Sequence, residues 1–406
     1  MAFGTMISGA GKAVRGLLRL AGRPARRAHG ERGIVVQPYR GYGSRTEIFV
    51  IGRVFRQAPA PRSALTVRRM LHDIGRRIAR RAVADAPLTA RFHGCEQRIH
   101  TDSDGYFRVH LRLPAPVPDG REWHEVALTL EAPDVVEATA RVFIPPERSR
   151  FVVISDIDDT VMVTGVANVF GMMWRLFVQG ANSRTAFPGV TAFYRALYDG
   201  AGGDERNPML YVSRAPWGIY DVLDEFFRRH GIPVGPILFL REWGMRWSSP
   251  LPRKAVDHKR MLIDHMLDVY RDLPVVLIGD SGQHDPEVYR RIVAEHGDRV
   301  LAVYIRNVSK DAGRADEIAA MAEEAVAHGS SLLLAADSIA MAEHAADLGL
   351  IQPGRVPLVR GEKVREEGDG EDHPIRRADA AEVEDVVEGQ GDEDESVVVE
   401  PRSGRR

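Results

Sequence analysis

Residues 46–148 are built from short runs in which apolar and polar positions alternate. From residue 151 onward, continuous apolar runs take turns with stretches of helical period. Alternation with period two marks a strand covered on one face, and an unbroken short apolar run marks a strand buried on both. In the first region the strand candidates are "TEIFVIGRVF", "LTARFHG", "EQRIHTDSDGYFRVHLRL", "HEVALTLEA" and "EATARVFIP", with Asp102-Ser103-Asp104-Gly105 as a turn. "VRRMLHDIGRRIARRAV" reads as one helical insertion among them. The expectation is a small all-β sandwich over 46–148, with "IPPERSR" at 144–150 as a linker.

The second region predicts strands at "FVVIS", "PMLYVS", "GPILFL", "PVVLIGD" and "RVLAVYIR", most of them separated by helical stretches such as "GVTAFYRALYDG" and "WGIYDVLDEFFRRHG". That order implies an α/β fold, a doubly wound parallel sheet covered by helices on both faces, over 149–350. After Leu350 the periodicity fades, so 351–406 reads as an acidic disordered tail, and 1–45 as a basic flexible segment.

Charge sharpens this division. The 406-residue chain has a net charge of -2, but its ends are polarised. Residues 1–45 carry nine basic side chains from Lys12 to Arg45 against Glu31, while "REEGDGED" and "GDEDESVVVE" lie near the other end. The basic end is either a disordered tail or a short amphipathic helix resting on anionic lipid. It is a poor secretory signal, because arginines break its apolar stretch. No apolar run reaches the roughly 18 residues that a bilayer span needs. A single cysteine, Cys95, excludes a disulfide within one chain and suits a reducing compartment. The chain is therefore expected to be cytoplasmic, peripheral to the inner face of the membrane where its basic end or an apolar flap meets lipid. A nucleic-acid partner is not expected.

Chemistry enters where the apolar runs stop. "RFVVISDIDDTVMVTG" places Asp156, Asp158 and Asp159 at the mouth of a buried strand. A calcium loop of EF-hand type fails, because its sixth and twelfth positions hold Val161 and Ala167 and a strand leads in. Ligands of such sheets bind beyond the carboxyl ends of the strands, so the polar residues there should converge. They are Asp156 and Asp158, then Ser213 and Arg214, then Asp280 and Asp285, with Lys259 in the helical stretch before the fourth strand. Singly, Ser213 reads as a helix cap, Lys259 as a solvated residue rivalled by Lys254, and Asp280 as a cap for a helix near Pro286. Jointly they describe a phosphoryl-transfer site. One carboxylate attacks phosphorus and another moves the proton. Magnesium (Mg2+) offsets the carboxylate density, and Ser213 and Lys259 hold phosphoryl oxygens.

Asp-x-Asp-x-Thr, then Ser, Lys and Gly-Asp-x-x-x-x-Asp, resembles the motif order of the haloacid dehalogenase superfamily, whose fold is Rossmann-like. Within it, "ISDIDDTV", "TAFPGVTAFYRAL", "YVSRAPWGIYDVLDEFF", "DHKRMLIDHML", "LIGDSGQHDPEVY" and "RVLAVYIRNVS" resemble the catalytic domain of the phosphatidate phosphatases named for yeast actin-patch-associated proteins. The resemblance implies hydrolysis of phosphatidate to diacylglycerol with magnesium. It makes Asp156 the nucleophile and Asp158 the acid/base. Asp280, Asp156 and the backbone carbonyl of Asp158 would hold the metal, with Asp285 supporting that shell. Ser213 and Lys259 would bind phosphate, with Thr160 and Arg214 beside them. Side chains after a strand need not all point into a site, so Asp159 is read as structural. "REWG" at 241–244 departs from the family's Arg-Asp-Trp but keeps Arg241 and Trp243. The proline-rich tail of fungal members is missing, so actin-patch partners are not carried over, and the β-domain and charged ends suggest a bacterial form.

Residue chemistry alone gives a phosphomonoester site. A lipid substrate is favoured by "VANVFGMMWRLFVQG" at 166–180, where Phe170, Met173, Trp174 and Phe177 share a face at helical spacing, either as an acyl-chain flap or as core. The gaps after the first two strands, about fifty and twenty-five residues, leave no room for a large cap over the site. The rival readings are a phosphatase for soluble or protein phosphomonoesters and a non-catalytic lipid-binding module.

Overall fold

The computed structural model describes residues 33–56, 81–157, 189–213, 231–239, 255–282, 284–307 and 312–371, with Tyr220, Leu223, Asp224, Phe227 and Arg228 between them. The first part holds nine strands: β1 (Ile34–Pro38), β2 (Gly41–Gly43), β3 (Glu47–Arg56), β4 (Arg81–Ala82), β5 (Pro87–Phe92), β6 (Cys95–His100), β7 (Tyr106–Arg112), β8 (Trp123–Leu130) and β9 (Val136–Phe143). They form one sheet in the order β1-β3-β2-β9-β8-β5-β6, with β4 and β7 also paired to β3. Pairing is antiparallel except between β2 and β9.

Alternation is plain in β7 and β8, whose apolar positions enter a core of Ile34, Val50, Phe107, Val126 and Leu128. The predicted turn forms as expected. Asp102 accepts from the amides of Asp104 (3.0 Å) and Tyr106 (2.8 Å), and Gly105 takes the left-handed φ of 80°. Two expectations change. Residues 34–38 and 41–43, read as part of the basic segment, are strands. Their apolar positions are few, but Ile34, Val35, Val36 and Tyr42 are all buried. Arg81 and Ala82, read as the end of a helical insertion, are a short strand on β3, and the rest of that insertion lies outside the described residues.

The second part holds β10 (Val152–Asp156), α1 (Val190–Asp199), β11 (Met209–Ser213), β12 (Ile237–Phe239), α2 (Ala255–Val269), β13 (Val275–Asp280), α3 (Asp285–His296), β14 (Val300–Arg306), α4 (Ala312–Ala327), β15 (Leu332–Ala335), α5 (Ser338–Asp347) and α6 (Val356–Glu371). Six strands lie parallel in the order β12-β11-β10-β13-β14-β15. The chain runs outward from β10 to β12, then crosses to β13 and runs out the other way. The order therefore reverses between β10 and β13, the point where sheets of this kind form a binding crevice beyond the strand ends.

Successive strand residues go to opposite cores. Val153, Tyr211, Ile278 and Tyr304 pack with Phe193 of α1, Met341 of α5 and Val359 of α6. Val152, Ile154, Leu277 and Ile305 pack with Ile263 of α2, Val288 of α3 and Ile318 of α4. Burial on both sides explains the unbroken apolar runs. The expected tail from 351 does not hold over its first part, since Val356–Glu371 is helical and buries Val359 and Glu362, and the rest of it lies outside the described residues.

The expected linker is fastened along its length. Arg148 Nε donates to the Asp204 carbonyl (2.6 Å), Ser149 Oγ to the carbonyls of Glu205 (3.1 Å) and Arg206 (3.0 Å), and the Arg150 amide to Asn207 Oδ1 (2.8 Å). The two sheets also meet elsewhere. Tyr42 of β2 belongs to the second of the two helical cores and bonds His265 of α2 (3.1 Å). Arg40 pairs with Asp224, and its amide donates to Tyr220 Oη (2.9 Å).

Candidate active site

Four adjacent strands each end on a polar residue: Ser213 on β11, Asp156 on β10, Asp280 on β13 and Arg306 on β14. All but Arg306 are at most 4 % exposed, and the Arg306 side chain is 12 % exposed. Asp280 and Arg306 are direct register partners. Helices α2 and α3 add Lys259 and Asp285, both buried.

The contacts form a chain across the crevice. Lys259 Nζ lies 3.1 Å from Asp156 Oδ1 and pairs closely with Asp285 Oδ1. The other oxygen of Asp285 accepts the Asp280 amide (3.1 Å), and Asp280 Oδ1 accepts the Gly282 amide (2.9 Å). Arg306 Nη2 stands 3.6 Å from Asp280 Oδ2. Asp280 therefore does not cap the following helix, which begins at Asp285 behind His284. Gly279 lies so close to Asp285 that any Cβ there would run into its carboxylate.

Side chains behind the crevice are equally buried. The ring of Tyr289 lies 5.7 Å from Lys259 Nζ, and its hydroxyl donates to the Ile278 carbonyl (2.9 Å). Burial, and then the charges of Asp285, Asp156 and Asp280, push the Tyr289 hydroxyl far above its ordinary pKa. Tyr194 of α1 bonds Ser155 at 2.7 Å, and burial raises its pKa as well.

Asp156, Asp280 and Asp285 bring carboxylate oxygens within 4.8 Å of one another. Among the described side chains these three anions face two cations, Lys259 and Arg306. Hard oxygen donors that close, with negative charge in excess, fit a small divalent cation such as magnesium. A second acidic group, Asp264, Glu295 and His296, lies on the outer surface, where Arg260 already pairs with Glu295 (2.6 Å).

Five predicted site residues, Asp156, Ser213, Lys259, Asp280 and Asp285, thus stand around the mouth of one crevice. Asp158, Thr160 and Arg214 lie outside the described residues, as do Asp159, Arg241, Trp243, Lys254 and the flap residues Phe170, Met173, Trp174 and Phe177. The sequence reading overlooked Arg306, although the rule that found the others applies to it. It is the polar residue that ends "RVLAVYIR".

Comparison with known proteins points the same way. A curated relative, phosphatidate phosphatase APP1 of Saccharomyces cerevisiae, is 32% identical over 154 residues, 38% of this chain and 25% of its own length. An uncharacterized protein of Schizosaccharomyces pombe is 24% identical over 219 residues, 53% of this chain and 35% of its own. This chain thus spans about a quarter to a third of the relatives it matches. Among solved structures, a carbohydrate acetylesterase from Xanthomonas citri aligns with a TM-score of 0.31 and 10% identity over 76% of this chain and 72% of its own, too distant a likeness to bear on the fold. Residues 151–307, the stretch that carries every strand-end residue of the crevice, match the family described as phosphatidate phosphatase APP1, catalytic domain.

Proposed function

We propose that the chain is a magnesium-dependent phosphatidate phosphatase of the haloacid dehalogenase type, its catalytic sheet preceded by an accessory β-sandwich. One observation carries the reading: a buried triad of carboxylates, met by Lys259, closes the crevice within the segment that matches a phosphatidate phosphatase catalytic domain.

In this reading Asp156 attacks the phosphorus of the monoester, and the bond to the glycerol oxygen breaks. Asp158 gives that oxygen its proton, then takes one from the water that frees phosphate from Asp156. Lys259 fixes the nucleophile through its 3.1 Å contact and balances charge as the phosphoryl group passes across. Ser213, with Thr160 and Arg214, holds the non-bridging oxygens. Asp156, Asp280 and the Asp158 carbonyl would hold magnesium, Asp285 supporting them. The ion, when bound, neutralises the carboxylates and orients a phosphate oxygen. The substrate is met at a membrane surface, with the flap and the basic N-terminal segment as the contacts to lipid.

Phosphate release from detergent-dispersed phosphatidate, with magnesium and with a chelator, tests the proposal beside a panel of soluble phosphomonoesters. Release should need magnesium and favour phosphatidate, and Asp156→Asn should abolish it in a folded protein. Turnover by Asp156→Asn near the wild-type rate would remove the mechanism. Preference for a soluble ester would move the substrate to that class.

A further inference from the structure

Lys259 reaches the carboxylates from the α2 side of the sheet. A second cation reaches them from the other side. Tyr304 of β14 packs in the core that holds Tyr194 and Phe193 of α1, and Arg306, two residues on, takes the same face. The carboxylates therefore stand between cations drawn from opposite layers.

Arg306 is a costly residue to place there. Its side chain is 12 % exposed, and a buried guanidinium must be matched by anions. It stands 3.6 Å from Asp280 Oδ2, within the carboxylate group that Lys259 meets from the other side. Counting the described side chains, three carboxylates and two cations leave one negative charge. A divalent ion brings this described group to one positive charge, and to neutrality if Arg306 is removed, so Arg306 favours a phosphomonoester dianion there. A planar fork of donors also matches two oxygens of a phosphoryl group as an ammonium cannot.

We propose that Arg306 is a second phosphate-binding cation of this crevice, engaging the phosphoryl group opposite Lys259. The inference rests on the phosphomonoester reading above, and it is tested by binding as well as by turnover. Inorganic phosphate is titrated by calorimetry into the full-length protein with magnesium present. Arg306→Gln should weaken phosphate binding by about tenfold or more. Arg306→Lys should fall between, because charge is kept and the fork lost. Magnesium affinity without phosphate should change by less than about threefold, and the KM for a soluble phosphomonoester should rise with the phosphate dissociation constant. A folded Arg306→Gln protein that binds phosphate like wild type overturns the proposal. So does one that loses magnesium affinity alone, since Arg306 would then serve only to orient Asp280. If Arg306→Gln does not fold, Arg306→Lys decides, and unchanged phosphate binding there also overturns it. Wild-type protein that binds phosphate through Arg306 yet hydrolyses no phosphomonoester would sink the proposed enzyme and leave this site standing. Wild-type protein that binds no phosphate would sink both.

Discussion

Lys259 sits between two carboxylates at 2 % exposure, a place where an ammonium is stable only because both partners are charged. Removing one member of a buried ionic group strands the others and costs about 3–5 kcal/mol. Lys259→Met keeps the volume and loses the charge, leaving Asp156 and Asp285 close together. Its melting temperature should therefore fall well below that of wild type, and millimolar magnesium should recover part of the loss. A Lys259→Met melt that matches wild type without metal would show that the carboxylates are balanced by something else.

Helix α1 follows the stretch after β10, and its first turn is held from the far end of the chain. The Ala192 amide donates to Glu362 Oε1 (2.7 Å), so a side chain of α6 satisfies a donor that α1 cannot satisfy itself. Gly189, with φ 80°, lies so close to the Val359 carbonyl and Lys363 that no other residue fits. Glu362→Ala should cost about 0.5–2 kcal/mol, as loss of a helix cap does, and Glu362→Gln clearly less. Equal denaturant midpoints for the two variants would show that the bond contributes nothing. This contact also marks where the sequence was hard to read. The strands β10, β11, β13 and β14 were legible because burial on both faces leaves unbroken apolar runs ended by polar residues. Helix α6 was not, because among its described side chains only Val359 and Glu362 are buried and its charges resemble a tail. Arg306 was equally visible in the sequence, but a lone arginine after a strand suggests no chemistry until Asp280 is seen beside it.

At the scale of the whole molecule, the two sheets share an aromatic joint. His265 of α2 bonds Tyr42, meets the edge of Phe49 at 4.9 Å, and lies near Glu47, Asp268 and His110. Burial holds the His265 pKa below its ordinary value, against the pull of Asp268 and Glu47. The unfolded chain takes up this proton near pH 6.5, about the free value, while the folded one resists it until lower pH. Stability should thus fall as pH drops below about 6.5. His124 and His344 are shifted the same way, so His265 supplies one part of that slope. His265→Gln should flatten the decline in melting temperature between about pH 7 and 5, and an unchanged slope would remove the joint as a source of acid sensitivity.

Asn207 has a bearing on how this chain can diverge. Its side-chain oxygen takes the amides of both Arg150 and Phe151, while its nitrogen donates to the Leu197 carbonyl (2.9 Å) and Glu205 (2.9 Å). One residue later, the amides of Val152 and Val153 donate to the carbonyls of Pro274 and Pro208. A residue gained or lost between Arg150 and Val153 would break one of these sets of bonds or slide β10 against both neighbours and carry Asp156 out of line with Asp280. The end of the segment that looks most like a spacer is therefore fixed in length, and inherited insertions should accumulate before it and not within it.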